Sequence, residues 1–301
     1  MKTALLTALA VLTAAYLVVW ARSVRRREGR GPAGEPPRPG GRHLLIGFIT
    51  NFFDTLGIGS FATTTSLFRL LKAVPDELIP GTLNVGHTPP TVVQAFIYIA
   101  IVSVAMPTLA SMIAAAVAGA WLGAGVVSRW NRPRIQRGMG SALLVAASLM
   151  LITQLGLMPL GGEALGLSGL RLAVAVSVNF VLGALMTLGI GLYAPCMILV
   201  YLLGMDPRVA FPIMMGSCAF LMPVGSVRFI GEGRYALPAA IGLAVGGVPA
   251  VLLAAYVVRS LPLGMVRWLV IVVVVYTAVA LLRSAARERS LAAPPAPAPL
   301  S

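Results

Sequence analysis

Residues 55–59 read Thr-Leu-Gly-Ile-Gly, and residues 187–191 read Thr-Leu-Gly-Ile-Gly again. Laid over each other at a constant offset of 132, the surrounding segments also bring Phe48 onto Phe180, Ala62 onto Ala194, Pro75 onto Pro207 and Pro80 onto Pro212. Twelve of the 33 columns from Phe48 to Pro80 are identical. Leucine columns match readily in any apolar helix, but two glycines and two prolines in register do not. The chain therefore reads as two copies of one unit, each broken at the same place by glycine. Paired interruptions of apolar segments mark the binding site of duplicated membrane carriers.

Composition gives the setting. Of 301 residues 58% are apolar and 11% charged, with a mean hydropathy of +0.91. Several stretches approach the ~20 apolar residues that cross a hydrocarbon core. The alternating ten-residue segments of a β-barrel are missing. The fold class expected is an all-α polytopic protein of the cell membrane. The net charge of +14 is confined to short arginine clusters between apolar spans, a pattern of membrane orientation and not of nucleic-acid binding. Cys196 and Cys218 both lie in apolar segments and show no metal spacing, and no cofactor is implied.

The organisation expected is an N-terminal anchor helix (1–21), a basic Pro/Gly-rich cytoplasmic linker (22–42), a first membrane repeat (43–158), a non-cytoplasmic loop (159–170), a second repeat (171–284) and a disordered cytoplasmic tail (285–301). Each repeat divides into four elements: 44–72, 78–102, 104–127 and 138–158, then 171–204, 209–229, 236–258 and 267–283. The linker carries seven arginines and the loop SRWNRPRIQR four. Both belong in the cytoplasm by the positive-inside rule, so an even number of crossings must separate them. Only three elements do.

One element must therefore enter and leave on the same side. Leu44–Leu56 as a helix is ~20 Å long and Phe61–Leu71 ~16 Å, so each half reaches about the midplane. A re-entrant hairpin with Gly57-Ile58-Gly59 at its tip satisfies length and charge. Three crossings plus a hairpin per copy invert the second copy, and 18 of the 23 Lys and Arg then fall inside; Lys2, Arg171, Arg208, Arg259 and Arg267 do not.

Inverted hairpins meet tip to tip. The helices opening after Gly59 and Gly191 offer unpaired N–H groups and positive dipole ends, which favour an anion. The candidate substrate-binding residues are Asn51, Thr55, Gly57, Gly59, Ser60, Thr63, Asn84, His87, Thr187, Gly189, Gly191 and Tyr193. The second element of copy one, Pro80 to Pro90, contains several breakers and is expected to expose backbone, pack on the hairpin and complete the cavity. The small residues from Ala114 to Gly125 read as a close packing face, not a binding face.

Asp54 is alone among nine carboxylates in lying within an apolar segment, and His87 alone among such histidines. Ionisable groups at that depth are functional candidates. One reading makes Asp54 a proton carrier with His87 as partner. The other makes Asp54 a cap for the broken helix and His87 a satisfied packing residue. Both stay open here, as does a homo-oligomeric state.

The segments GFITNFFDTLGIGSFATTTSL and NFVLGALMTLGIGLYAPCMIL, each followed by a proline-containing second element, resemble the TauE/SafE sulfite exporter family over residues 44–283 or so. That resemblance implies a duplicated eight-element fold and the movement of sulfite, sulfonates or related small organic anions. The family tip reads closer to Gly-x-Gly-Gly-Gly followed by proline. Here Ser60 and Phe61, and Leu192 and Tyr193, replace glycines, and only Pro195 is kept. The expected function is a secondary transporter of a small anion in the lipid bilayer, with an anion channel and an integral membrane enzyme as weaker alternatives. A pore would show rings of charge, and an enzyme a clustered catalytic set.

Overall fold

The computed structural model describes residues 2–27, 39–157, 162–188, 191–256 and 264–291. Residues 28–38 of the linker, 158 at the end of the first repeat, 159–161 of the loop, Gly189 of the site and the tail from 292 lie outside them. The described residues form eleven α-helices: α1 (Lys2–Arg27), α2 (Gly41–Thr55), α3 (Ser60–Leu70), α4 (Ile79–Ile101), α5 (Met106–Val127), α6 (Arg132–Gln154), α7 (Gly169–Met186), α8 (Tyr193–Leu202), α9 (Ala210–Gly231), α10 (Leu237–Tyr256) and α11 (Gly264–Leu291). No strand occurs among them. Six helices (α1, α5, α6, α7, α9 and α10) are long and apolar enough to cross a membrane. The chain is a multi-pass membrane protein.

The eight expected elements are present, with differences at their ends. α6 begins at Arg132, inside the stretch expected to be loop, because the Asn131 side chain accepts the Arg134 N–H at 3.2 Å and a proline sits in the first turn. These are standard helix-starting chemistry. α1 runs on to Arg27 and α11 to Leu291, so residues 285–291 are helical and not disordered tail.

The first break has a clear local cause. Gly57 N–H bonds the Asp54 carbonyl and Ile58 N–H the Phe53 carbonyl, both at 2.9 Å, which is a Schellman ending with Gly57 at φ 92°. A side chain at that left-handed position would be strained. α2 thus stops at Thr55, and α3 restarts after Gly59.

Packing relates the copies. α2 lies on α10 where Gly47, Gly242 and Gly246 let the backbones touch: a Cβ on Gly47 would stand 2.7 Å from the Gly242 carbonyl oxygen, and one on Gly246 would strike the Leu44 carbonyl. α7 lies on α5 in the same manner, with Gly183 against the Ala116 carbonyl and Gly119 against the Phe180 carbonyl. The remaining large contacts are α4 with α9, α4 with α10, α5 with α9, and α6 with α11. Exchanging α2 with α7, α4 with α9, α5 with α10 and α6 with α11 returns the same set. The expected packing face 114–125 is the one that receives α7.

α4 departs from expectation in a useful way. Despite Pro89 and Pro90 it is one continuous helix with most of its residues buried. Pro89 has no N–H for the Val85 carbonyl, and the Tyr16 hydroxyl of α1 supplies the missing donor at 2.7 Å. Proline is tolerated in buried helices when a neighbour satisfies the freed group. α1 packs on α9 and α4 with Leu9, Tyr16 and Trp20 buried.

Hydrogen bonds gather at two ends of the bundle. At one end, Arg69 meets Asp76, Ser284 and the Ala280 carbonyl, Gln136 reaches Asp76 at 3.0 Å, Ser23 meets Tyr235, and Arg234 reaches the Trp130 carbonyl. His43, opening α2, interacts with the Ala73 backbone just past α3. At the other end, Lys2 reaches the Ala100 carbonyl, Ala105 N–H bonds Leu165, and residues 162–164 pair with Gly204 and Met205. There Arg208 holds the Asp206 carboxyl below its usual range by direct hydrogen bonds.

Candidate functional site

Helix breaks bring irregular backbone to the middle of the bundle. Leu56, Gly57, Ile58 and Gly59 of the first copy and Gly191 and Pro195 of the second line one cavity of about 270 Å³. Its wall is completed by Ala146, Met150 and Thr153 of α6, Tyr201 of α8 and Phe211 of α9. The lining is mostly apolar. Its polar side chains are the Thr153 and Tyr201 hydroxyls, beside the peptide groups of the two tips.

The first tip is anchored from behind. Asp54, 1% exposed, accepts the Ser60 N–H through Oδ1 at 2.6 Å, so the opening turn of α3 is capped by the helix before it. Asp54 Oδ2 accepts from Gln94 Nε2 at 2.9 Å, and the same amide nitrogen donates to Thr55 Oγ1 at 2.9 Å. Tyr98 donates to the Thr55 carbonyl at 2.8 Å and stacks on Phe211, whose ring reaches the cavity. The tip, α4 and the cavity wall are thereby one bonded unit. In the second copy Met186 replaces Asp54 and packs its sulfur against Cys218.

A second network lies one turn deeper. His87 Nδ1 faces Asn51 Oδ1 at 3.0 Å, and Nε2 faces Thr64 Oγ1 at 2.9 Å. Asn51 Nδ2 is given to the Gly47 carbonyl, so its oxygen accepts from Nδ1, and Nε2 takes the threonine proton. A neutral imidazole is satisfied on both nitrogens.

The family model for Sulfite exporter TauE/SafE matches residues 2–150. This part of the chain belongs to the TauE/SafE family. The match takes in α1, the first hairpin, α4, α5 and most of α6, whereas the motif resemblance ran from 44 to 283. The match covers just under half of the chain and suggests a membrane transporter. No curated protein and no solved structure matches it.

The expected site residues divide into groups. Gly57, Gly59 and Gly191 line the cavity. Thr55 and Ser60 belong to the network behind the first tip with Asp54, and Asn51 and His87 to the deeper one. Thr63 bonds the Gly59 and Ser60 carbonyls of its own helix. Thr187 bonds the Ala184 carbonyl. Asn84 is fully buried in α4, donates to the Pro80 carbonyl and stands away from the cavity. Gly189 lies outside the described residues, as does the Tyr193 side chain.

The expectation that α4 completes the cavity is not met, since no α4 residue lines it. The Tyr16 bond keeps α4 helical and its backbone committed. Sequence reasoning missed Thr153, Tyr201 and Phe211. Tyr201 precedes the Pro207–Pro212 repeat segment and Phe211 lies within it, and that proximity was the available signal. Thr153 lies three residues before Gly156, whose φ of 70° ends α6, and that glycine was its available signal.

Proposed function

We propose that the chain is a secondary transporter that moves a small anion, sulfite, a sulfonate or a related organic acid, by alternating access between two inverted copies. The observation that carries this is the shared cavity: tips from different copies, broken at identical motifs, line one space. Peptide N–H groups at such breaks can hold anions without a cationic side chain; that of Ser60 is given to Asp54 and is not among them.

Inversion is supported by the partners of each hairpin's base. Hairpin one ends beside Asp76, which Gln136 in the second turn of α6 bonds. Hairpin two ends at Gly204 and Met205, which pair with residues 162–164 beyond the other end of α6. The 23 residues of α6 span ~35 Å, about one bilayer core. The bases thus belong at opposite faces, with the arginine-rich end cytoplasmic.

Asp54 is the proposed coupling group. Its carboxylate bonds the amide that opens α3, so gaining a proton there changes the bond that shapes the tip. A purely capping role draws on the same bond, and Asp54→Asn separates the two.

The test is uptake into liposomes. Reconstituted protein is expected to give saturable counterflow of a labelled sulfonate, competed by sulfite. A linear, unsaturable flux would refute carriage in favour of a channel.

A further inference from the structure

The arginine-rich end holds a second cleft, of about 520 Å³, unrelated to the transport cavity. It lies between the turn joining α5 to α6 and the turn joining α9 to α10, so each copy provides one wall. Arg129, Arg132 and Arg234 line it with Glu77 and Glu232. Arg129 stands 3.7 Å from Glu232 and Arg132 3.8 Å from Glu77, longer than a charge-assisted hydrogen bond. Arg234 pairs with no carboxylate among the described residues, and its Nη2 is given to the Trp130 carbonyl at 2.7 Å.

Three shielded atoms in this cleft have no hydrogen-bond partner among the described residues: Arg234 Nε, the hydroxyl of Ser128, a residue only 4% exposed, and Glu77 Oε2, which faces Arg132 Nε at 3.8 Å. A solvated arginine face would leave such atoms in water. Here a guanidinium donor and a hydroxyl donor are withdrawn from solvent beside one uncompensated positive charge, which is costly unless an acceptor arrives.

We propose that this cleft binds a phosphate group. A tetrahedral oxyanion can take the guanidinium fork of Arg234 on one edge and the Ser128 hydroxyl on another, with Arg129 and Arg132 adding charge. Basic clefts at the cytoplasmic interface meet such groups as anionic lipid headgroups. A bound phosphate bridges the two copies at the end opposite the hairpin-two base.

Thermal unfolding of the full chain in detergent tests this with four additions: phosphatidylglycerol, inorganic phosphate, diacylglycerol, and sodium chloride at equal ionic strength. Phosphatidylglycerol is expected to raise Tm saturably, and diacylglycerol and chloride are not. A matching rise with inorganic phosphate assigns the free ion as a sufficient ligand, and its failure assigns the lipid. Arg234→Gln should weaken apparent affinity about tenfold or more, Ser128→Ala should weaken it less, and Arg171→Gln at the other end should change nothing. Ser128→Ala removes one hydroxyl and keeps the test alive should the arginine variant not fold. Equal shifts with diacylglycerol and phosphatidylglycerol, or undiminished affinity in both cleft variants, would overturn the proposal.

Discussion

Replacing Tyr16 by phenylalanine tests how a proline-broken helix stays intact inside the bundle. The hydroxyl donates at 2.7 Å to Val85 O, the carbonyl that Pro89 leaves without its helical partner, and the Thr88 side chain lies beside it. Tyr16 is 2% exposed and Val85 fully buried, so water cannot replace the donor. Leaving such an acceptor unpaired costs about 1–3 kcal/mol, while hydrogen bonds between membrane helices average ~0.6 and reach ~1.7 kcal/mol. The expected loss is therefore about 1–2 kcal/mol. Pro89→Ala restores an N–H for Val85 O. In that background Tyr16→Phe should cost less than about 0.5 kcal/mol, a coupling near 1 kcal/mol. Equilibrium unfolding of the four proteins in mixed micelles measures this cycle. Equal losses in both backgrounds would refute the argument that Tyr16 stands in for the missing amide.

Three further outcomes are expected. Gly119→Val places a branched side chain against the Phe180 carbonyl and should destabilise by about 2 kcal/mol or more, read by the same unfolding assay, whereas Gly40→Ala, with open space around it, should be near neutral. Gly57→Ala forces a side chain onto φ 92° at the cavity rim and should cost about 1–2 kcal/mol, with slowed counterflow in liposomes. Asp54→Asn still accepts the Ser60 N–H, so the protein should fold and exchange labelled anion, yet lose accumulation driven by a proton gradient; accumulation at the wild-type level would make Asp54 a cap alone.

Much of the architecture was readable from two glycine pairs, because a Gly-x-Gly break in an apolar segment changes the backbone wherever it occurs. Asp54 was readable too, since one carboxylate in an apolar segment must find partners, and Ser60 N–H and Gln94 are those partners. The role of Gln94 was not legible: it is 40 residues from Asp54 and only packing brings them together. The same holds for α4. Its prolines signal a broken helix locally, and the correction comes from Tyr16, 69 residues before Val85. The start of α6 was legible: Asn131 followed by Arg132 and Pro133 is a capping sequence. Thr153, Tyr201 and Phe211 are brought to one cavity wall by tertiary contacts.

In the proposed mechanism the hairpin bases open toward opposite faces while their tips share one cavity. Single cysteines at positions 42 and 72, and at 170 and 208, all exposed, can be placed in a protein whose buried Cys196 and Cys218 are replaced by alanine. Labelled with an impermeant maleimide in oriented vesicles, 42 and 72 should react from the arginine-rich face only, and 170 and 208 from the opposite face only. All four reacting from one face, or either pair dividing between the two, would contradict it.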